Sequence, residues 1–152
     1  MDIQEGIKTT MTGQDLSQEE ISSVMHQILT GSASEAQIGA FLVSLSIKGE
    51  SVDEVIGSAQ VMRKLSSKVS VDKVNLVDTC GTGGVGSGIF NVSTTAAFVA
   101  SSCGAKVAKH GNRSATRKSG SADLLEAAGV ALDLNPDQIK ICIEEVGFGF
   151  MF

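Results

Sequence analysis

Tryptophan and tyrosine are missing from this sequence, and aromatic residues make up only 4% of it. Proteins that bind single-stranded nucleic acids stack bases on aromatic side chains, so this chain has few platforms of that kind. Its formal net charge of -5 also opposes broad attraction to nucleic-acid phosphates. Composition therefore argues against a general nucleic-acid-binding protein, although a local basic cluster spans Lys106 to Lys118.

Signals for membranes and for the secretory route are also missing. No apolar run is long enough to span a bilayer. Residues 1–11 lack a cationic head followed by an apolar core, so we expect no secretory signal. The three cysteines, Cys80, Cys103 and Cys142, are odd in number and far apart, which fits neither a disulfide framework nor a CxxC metal site. We therefore expect reduced thiols and a cytoplasmic protein.

The sequence has enough apolar residues to fold. Hydrophobic residues make up 42% of the 152 positions and charged residues 19%, a balance typical of globular rather than disordered chains. This length suits one ordinary domain, or one domain with a small helical cap.

Residues 1–65 have the start signals and spacing of amphipathic helices. Capping boxes, in which an N-cap side chain and a residue three positions later exchange hydrogen bonds, are predicted for Ser17 with Glu20, Ser34 with Gln37 and Ser51 with Glu54. The apolar faces that follow are Ile21, Val24, Met25, Ile28 and Leu29, then Ile38, Phe41, Leu42 and Leu45, then Val55, Ile56, Ala59 and Met62. Gly31 and Gly49 end the first two helices, and another helix is predicted over Asp2–Thr9. A bundle this small should dock on the rest of the chain or on a second copy.

After a polar segment over residues 66–73, the predicted hinge, the pattern changes to alternating strands and helices over residues 74–152. The predicted strands are Val74–Val77, Lys106–Ala108, Val130–Leu134 and Phe148–Phe152. The predicted helices are Ser93–Cys103, Ser119–Ala128 and Pro136–Val146, with a loop over Lys109–Lys118. Such alternation indicates a mainly parallel sheet. The predicted fold class is therefore α/β: a small N-terminal helical bundle followed by a mainly parallel α/β sheet domain.

The last residues are unusually apolar. Phe148, Phe150 and Phe152 are three of the six phenylalanines. Domains normally finish in solvated segments, so we expect the α/β domain to be truncated and the sequence to be part of a longer protein.

A glycine-rich stretch, Gly81-Thr82-Gly83-Gly84, lies between the first predicted strand of this domain and the helix that follows it. Glycine lets backbone N–H groups approach an anion, and a helix start adds partial positive charge, so this arrangement favours a phosphate-bearing ligand. It is not a dinucleotide-binding fingerprint, because residues 101–103 lack the acidic group expected there, and no GK[ST] of a P-loop follows. A tight turn without a ligand remains an alternative.

Three other segments should converge on the same edge of the sheet. Asn91, Ser93 and Thr94 place an amide and two hydroxyls at a helix start, where they either cap the helix or hold phosphate oxygens or hydrated Mg²⁺. The segment Lys109–Arg113 follows the next strand, and Ser119–Ser121 opens another helix. Since ligands bind at the carboxyl ends of adjacent parallel strands, we expect a pyrophosphate-bearing ligand there.

The segments GTGG, NVST, KHGNR and KSGSADLLEAAGV together resemble the anthranilate phosphoribosyltransferases, a glycosyltransferase family with a nucleoside-phosphorylase-like fold. The resemblance covers essentially all 152 residues but only about the first half of a family member. It implies transfer of a phosphoribosyl group from phosphoribosyl pyrophosphate (PRPP) to anthranilate, a step of tryptophan biosynthesis. It further implies Mg²⁺ and a homodimer formed through the helical domain.

The resemblance also implies roles for individual residues. Those implied for PRPP are Gly81, Gly84, Asn91, Val92, Ser93, Thr94, Lys109, His110, Gly111, Asn112, Arg113, Arg117 and Ser121. Gly81 and Asn112 would contact anthranilate, and Ser93 would lie near Mg²⁺. No catalytic side chain is assigned, because the aromatic amine is already a nucleophile once it is positioned.

The sequence departs from the family pattern within these motifs. Val85 replaces an acid, Ile89 replaces a Ser or Thr, and Arg117 replaces a second Ser. The later portion of the family, with its paired acidic Mg²⁺ ligands and an anthranilate-binding arginine, has no counterpart. The resemblance therefore implies that this chain is inactive by itself.

Two other functions are compatible with the sequence. The stretch Thr82–Gly86 also resembles the glycine loop of pyrimidine-nucleoside phosphorylases, including Val85. A catalytically silent relative that binds nucleic acid or serves as an oligomerisation module would explain the basic cluster, although the net charge opposes the first of these roles.

Overall fold

The computed structural model describes residues 1–81, 90–114 and 119–152. The chain divides into two compact units, Met1–Ser66 and Ser67–Phe152. In the described residues, no helix combines the length and the apolar character needed to cross a membrane.

The first unit consists of four helices. They are α1 (Ile3–Met11), α2 (Gln18–Leu29), α3 (Glu35–Lys48) and α4 (Val52–Leu65). The three predicted capping boxes are confirmed: Ser17, Ser34 and Ser51 each accept a hydrogen bond from the backbone three residues later. Asp2 caps α1 in the same way. Local sequence thus determines where each helix begins.

The core of this unit lies between α1 and α3 and between α2 and α4. Its buried residues are Ile3, Leu16, Ile21, Val24, Phe41 and Leu45. Helix α4 approaches α2 closely at Gly57, where a Cβ would lie 2.5 Å from Ile21 Cγ2 and 2.7 Å from the Gln18 carbonyl oxygen. A larger residue at Gly57 would push these two helices apart.

The predicted apolar face of α4 is wrong. Val55 and Met62 are 56% and 55% exposed, and the buried positions are instead Glu54, Gly57 and Val61. The reason is that α4 turns a small residue and a paired carboxylate towards its neighbours, which hydrophobic periodicity does not detect.

A buried ion-pair network holds the ends of α3 and α4 together. Lys48 Nζ contacts Glu54 Oε2 at 2.9 Å and Asp15 Oδ1 at 2.6 Å. Glu54 also accepts hydrogen bonds from the backbone N–H groups of Leu16 (2.9 Å) and Ser51 (2.7 Å). Burial alone would raise the pKa of Glu54, but the hydrogen bonds from Lys48, Ser51 and Leu16 outweigh it and hold the pKa below its ordinary value. Burial would likewise lower the pKa of Lys48, yet its bonds to Asp15 and Glu54 raise it.

These shifts predict a pH dependence of stability. Because the pKa of Glu54 is lower in the folded state than its ordinary 4.5, its stabilisation is complete above that value and is lost as pH falls through the folded pKa. The pKa of Lys48 is raised, so its contribution is complete below 10.5 and is lost at more alkaline pH. Urea unfolding of the chain from about pH 3 to about pH 8 should therefore show an acid decline that is shallower in Glu54→Gln. Parallel acid declines in the two proteins would contradict this.

The second unit is an α/β layer. Its elements are β1 (Leu76–Val77), α5 (Val92–Ser102), β2 (Lys106–His110), α6 (Ser121–Ala127), α7 (Pro136–Ile141), a π-helical turn (Cys142–Val146) and β3 (Phe148–Met151). The described sheet has the order β1-β2-β3, and both pairings are parallel. The predicted parallel α/β class is confirmed.

Two strands differ in length from their predictions. β1 contains only Leu76 and Val77, because Asn75 adopts a left-handed conformation (φ 54°) and Leu76 N–H bonds back to Lys73. β2 is longer than predicted, because Lys109 and His110 pair with β3 instead of starting a loop. Lys109 and His110 are therefore held by the sheet.

The segment 130–134 is not a strand, contrary to the prediction. Residues 130, 132 and 134 are half-buried and those between them are exposed, which explains the alternating sequence pattern. Val130 and Leu132 pack on the cluster formed by Ala122, Leu125 and Phe150, and Val130 N–H bonds to the Leu125 carbonyl. The alternate apolar residues Val130 and Leu132 are therefore partly buried by packing on the cluster, without pairing to a strand.

The predicted helix Pro136–Val146 exists but changes its winding. Asn135 and Gln138 form the predicted capping box at its start. After Ile141 the chain forms the π-helical turn, which ends at Gly147 with a left-handed φ of 83°. In this turn Ile143 is buried against Gly149 of β3, where a Cβ would meet Ile143 Cγ1 at 2.5 Å.

Candidate phosphate-binding site

The carboxyl ends of β1 and β2 meet the amino ends of α5 and α6. Asp78 follows β1, and its Oδ1 accepts hydrogen bonds from the backbone N–H groups of Cys80 (2.9 Å) and His110 (3.3 Å). One carboxylate thus ties the segment after β1 to the end of β2.

Lys109 supplies a buried cationic group at this edge. Its side chain is 1% exposed, and among the described residues its Nζ has one hydrogen-bond partner, Thr79 Oγ1, at the long distance of 3.4 Å. Thr79 Oγ1 in turn donates to the Ser93 carbonyl oxygen at 2.8 Å, so its lone pairs remain to accept from Lys109. A buried ammonium has three N–H donors and is costly to desolvate, so this one is poorly satisfied without an anion.

A second unsatisfied group lies in the first turn of α5. Thr94 is fully buried, and its Oγ1 has no hydrogen-bond partner within the described ranges. Buried hydroxyls without partners are uncommon because each costs about 1–3 kcal/mol. Thr94 adjoins Ser93, whose carbonyl is bonded to Thr79, so both unsatisfied groups lie beside the start of α5.

The Asn91 side chain connects α5 with the start of α6. Asn91 precedes α5, but its side chain makes no capping hydrogen bond. Instead, Asn91 Nδ2 donates to the Gly120 carbonyl (3.2 Å) and to Ser119 Oγ (3.4 Å). The sequence allowed the Asn91 amide either to cap α5 or to hold a ligand, and the prediction of a helix cap is wrong.

Arg113 is engaged by carboxylates of α6. Its guanidinium contacts Glu126 through two hydrogen bonds, 2.7 and 2.9 Å long, and Asp123 at 3.0 Å. The hydrogen bonds to Glu126 and then to Asp123 raise the pKa of Arg113. The hydrogen bond from Arg113 in turn lowers the pKa of Glu126. The guanidinium carbon of Arg113, Cζ, also lies 5.9 Å from the Phe152 ring centroid. Its predicted contact with phosphate stays a prediction, and such a contact would compete with this bidentate pair.

Asp123 connects two described residues, Ser114 and Gly120. Asp123 Oδ2 accepts hydrogen bonds from Gly120 N–H (2.7 Å) and Ser114 N–H (3.2 Å). Both hydrogen bonds lower the pKa of Asp123, and the bond from Gly120 N–H has the larger effect. The carboxylate therefore sets the separation between residues 114 and 120.

Gly120 leaves no room for a side chain. A Cβ there would lie 2.5 Å from Ser114 N, 2.6 Å from the Asn112 carbonyl oxygen and 2.7 Å from the Arg113 carbonyl carbon. Since all three are backbone atoms, the loop itself would have to move.

Gly120→Ala is therefore expected to shift this loop and to lower the free energy of unfolding by about 2 kcal/mol. Gly39→Ala is the matched control, because a Cβ at Gly39 of α3 meets nothing within 4 Å. It should be neutral or stabilising by up to about 1 kcal/mol. Urea denaturation of both variants measures the difference, and equal stability of the two would contradict the steric account.

The structure places most of the predicted site residues around this edge. Asn91, Ser93 and Thr94 lie at the start of α5, Lys109 and His110 at the end of β2, and Gly111, Asn112 and Arg113 just beyond it. Ser121 opens α6 and its Oγ donates to the Asn112 carbonyl at 3.4 Å. Gly81 follows Cys80, close to His110.

The remaining predicted PRPP-binding positions are Val92, Gly84 and Arg117. Val92 is 50% exposed and lines, with Phe90 and Val99, an apolar surface depression of about 460 Å³ on α5. Gly84 and Arg117 lie outside the described residues, as do Val85 and Ile89.

The donor set for a magnesium ion is small. The described ranges contain no group of three or more His, Cys, Asp or Glu side chains able to hold a metal. Ser93 supplies one hydroxyl, and Mg²⁺ prefers octahedral oxygen ligands that include waters and substrate phosphates. The described residues do not form a Mg²⁺ site by themselves.

Sequence reasoning missed Asp78, Thr79 and Asp123. Asp78 and Thr79 come just before the glycine-rich stretch, and the hydrogen bonds of their side chains depend on partners that sequence spacing does not reveal. Asp123 had a signal, because it stands three residues after Gly120 at the capping-box position.

Two family models match the chain. The helical bundle domain of the glycosyl transferase family matches residues 4–66, and the a/b domain of the same family matches residues 73–152. The chain therefore belongs to this glycosyl transferase family.

The chain is also similar to individual named proteins of this family. The chain is 58% identical over 152 residues to anthranilate phosphoribosyltransferase of Hahella chejuensis and 57% identical to that of Marinomonas sp., covering 100% of this chain and 44% of each relative. The crystal structure of anthranilate phosphoribosyltransferase from Thermus thermophilus superposes with a TM-score of 0.80 at 44% identity, over 97% of this chain and 45% of that one. The expected family resemblance is confirmed, and this chain spans less than half the length of these relatives.

Proposed function

We propose that this chain forms the PRPP-binding wall of an anthranilate phosphoribosyltransferase, which transfers the phosphoribosyl group to anthranilate in tryptophan biosynthesis. The observation that carries the proposal is the buried ammonium of Lys109, which has one long hydrogen bond to the described residues and lies at the carboxyl end of a parallel strand. The names of the relatives support the substrate assignment over the nucleoside-phosphorylase and nucleic-acid alternatives.

The chemistry of the reaction fits this environment. Breaking the bond between C1 and the pyrophosphate oxygen leaves positive charge on the ribose and negative charge on the departing pyrophosphate. Lys109 and the backbone N–H groups at the start of α5 would stabilise the negative charge. The amine of anthranilate attacks C1 as the pyrophosphate leaves, and then releases a proton. Placing the amine in line with C1 is the main requirement, since it is already a nucleophile.

We propose that Mg²⁺ arrives on the pyrophosphate group instead of residing in the protein. Ser93 would then supply one hydroxyl ligand, and the remaining ligands would be phosphate oxygens and water. The ion would supply charge neutralisation of the leaving group. The other PRPP contacts and the anthranilate contacts of Gly81 and Asn112 belong to the same proposal.

Calorimetric titration of the 152-residue chain with PRPP and Mg²⁺ tests binding, and a fluorescence assay with saturating anthranilate tests turnover. We expect saturable binding that persists at about 0.15 M salt and no turnover. No binding would overturn the proposed ligand. Product formation by this chain alone would overturn its assignment as an incomplete site.

We extend the proposal to a homodimer formed through the helical unit, in the cytoplasm. The exposed aliphatic side chains Val55, Ile56 and Met62 of α4 support an interface, and the three unpaired cysteines support a reducing compartment. Sedimentation of Met62→Glu beside the unaltered chain tests the first point. A monomer for the unaltered chain at micromolar concentration would overturn it.

A further inference from the structure

A thiol and an imidazole lie side by side at the sheet edge. Cys80 Sγ is 3.7 Å from His110 Nδ1, within hydrogen-bond range for sulfur, and 3.5 Å from the Gly81 carbonyl oxygen. Both Cys80 and His110 are exposed. Nothing in the transfer reaction uses the Cys80 thiol.

The backbone fixes this pair. Asp78 Oδ1 accepts from the N–H groups of both Cys80 and His110, and His110 is also paired with Met151 in the sheet. Because both residues are anchored to one carboxylate, the thiol and the imidazole are held next to each other.

We propose that Cys80 and His110 form a thiol modification site on the rim of the candidate phosphate site, and that its substrates are anionic disulfides such as glutathione disulfide. The imidazole takes the proton of the thiol, which leaves the nucleophilic thiolate. The thiolate attacks one sulfur of the disulfide, so that a new S–S bond forms and the bond within the reagent breaks. The departing thiolate recovers the proton from the imidazolium.

The neighbouring groups indicate why an anionic reagent is preferred. Lys109 adjoins His110, and its ammonium is buried with one long hydrogen bond among the described residues. Thr94 Oγ1, buried and without a described partner, lies in the first turn of α5, next to the residue that Thr79 contacts. Consecutive side chains of β2 alternate between the two faces of the sheet, so Lys109 does not contact the thiol itself. It contacts Thr79, the residue before Cys80, so the group that we expect to attract anions lies one residue away from the thiol. The part of the inference that concerns PRPP rests on the proposed function: a mixed disulfide on Cys80 would obstruct that ligand.

The chain contains its own control. Cys103, which caps the C-terminal end of α5, is also exposed, and no hydrogen bond to its thiol is found within the described ranges. Accessibility alone would make Cys80 and Cys103 react alike, so any excess reactivity at Cys80 is due to its surroundings.

The first test is timed labelling with iodoacetamide, read by mass spectrometry of the separate cysteine peptides. Cys80 should react about tenfold faster than Cys103, and His110→Asn should abolish most of that difference while leaving Cys103 unchanged. Equal rates at Cys80 and Cys103 in the unaltered chain, or an unchanged ratio in His110→Asn, would overturn the proposal.

The second test uses glutathione disulfide, followed by calorimetric titration with PRPP and Mg²⁺. The mixed disulfide should form first at Cys80 and should reduce PRPP binding at least tenfold, and Cys80→Ser should bind PRPP after the same treatment. Unchanged PRPP binding by the modified chain would overturn the inference while leaving the proposed function intact. Failure of the untreated chain to bind PRPP would overturn the proposed function and the inferred obstruction of PRPP by a mixed disulfide. Fast labelling of Cys80 would then still support the thiol–imidazole pair.

Discussion

Lys109→Met should abolish most PRPP binding and at the same time stabilise the ligand-free chain. The ammonium is 1% exposed and has one 3.4 Å hydrogen bond within the described residues, so it is costly in the absence of an anion. Methionine fills a similar volume without a charge, so we expect a gain of about 1–2 kcal/mol in the free energy of unfolding. Loss of a charge-assisted contact to phosphate should weaken PRPP binding by about 100-fold, which corresponds to about 2.7 kcal/mol.

The matched control is Lys106→Met at the start of the same strand. The Lys106 side chain is 31% exposed and lies 3.9 Å from Asp72, away from the candidate site. Its replacement should change both PRPP affinity and stability little, since exposed ion pairs contribute little. Urea unfolding and calorimetric titration of both variants provide the measurements. Normal PRPP binding by Lys109→Met would contradict the assigned role of Lys109, and a large loss of stability would contradict the account of its burial.

Glu54→Gln should destabilise the helical unit by about 3 kcal/mol, the largest stability effect that we expect. The carboxylate accepts bonds from Lys48 and from two backbone N–H groups and is 1% exposed. An amide can replace one acceptor oxygen, but its NH₂ group would face donors. Lys48 would also lose its buried counter-charge.

A double variant separates the ion pair from the backbone hydrogen bonds. Lys48→Met combined with Glu54→Gln should cost less than the sum of the two single changes, because the second change then removes no uncompensated charge. Glu50→Gln is the control, since Glu50 is exposed, and it should alter stability by less than about 0.5 kcal/mol. Additive effects of the two single changes, measured by urea unfolding, would contradict a coupled pair.

Local signals in the sequence predicted the helix starts well. The Ser–Glu and Ser–Gln capping boxes depend on residues three positions apart, so the sequence contains all the information they need. The parallel α/β pattern was predictable for the same reason, from the alternation of strands and helices.

Features that depend on tertiary contacts were not predictable. The buried face of α4 includes Glu54, which requires Lys48 as its partner, and hydrophobic periodicity does not predict that ion pair. The segment 130–134 alternates as a strand does, but it packs on Leu125 and Phe150 instead of pairing. At the candidate site, the convergence of loops followed from the strand order, whereas the carboxylate partners of Arg113 came from the fold.

The order β1-β2-β3 bears on how the chain folds while it is being synthesised. Each described strand pairs with the strand that precedes it, so every new strand can add to an edge that already exists. Such sequential pairing keeps the separation between partners short and lowers the entropy of loop closure at each step. The candidate site, which uses the ends of β1 and β2, can therefore be assembled on the ribosome before β3 has emerged, with β3 then fixing Lys109 and His110 in place.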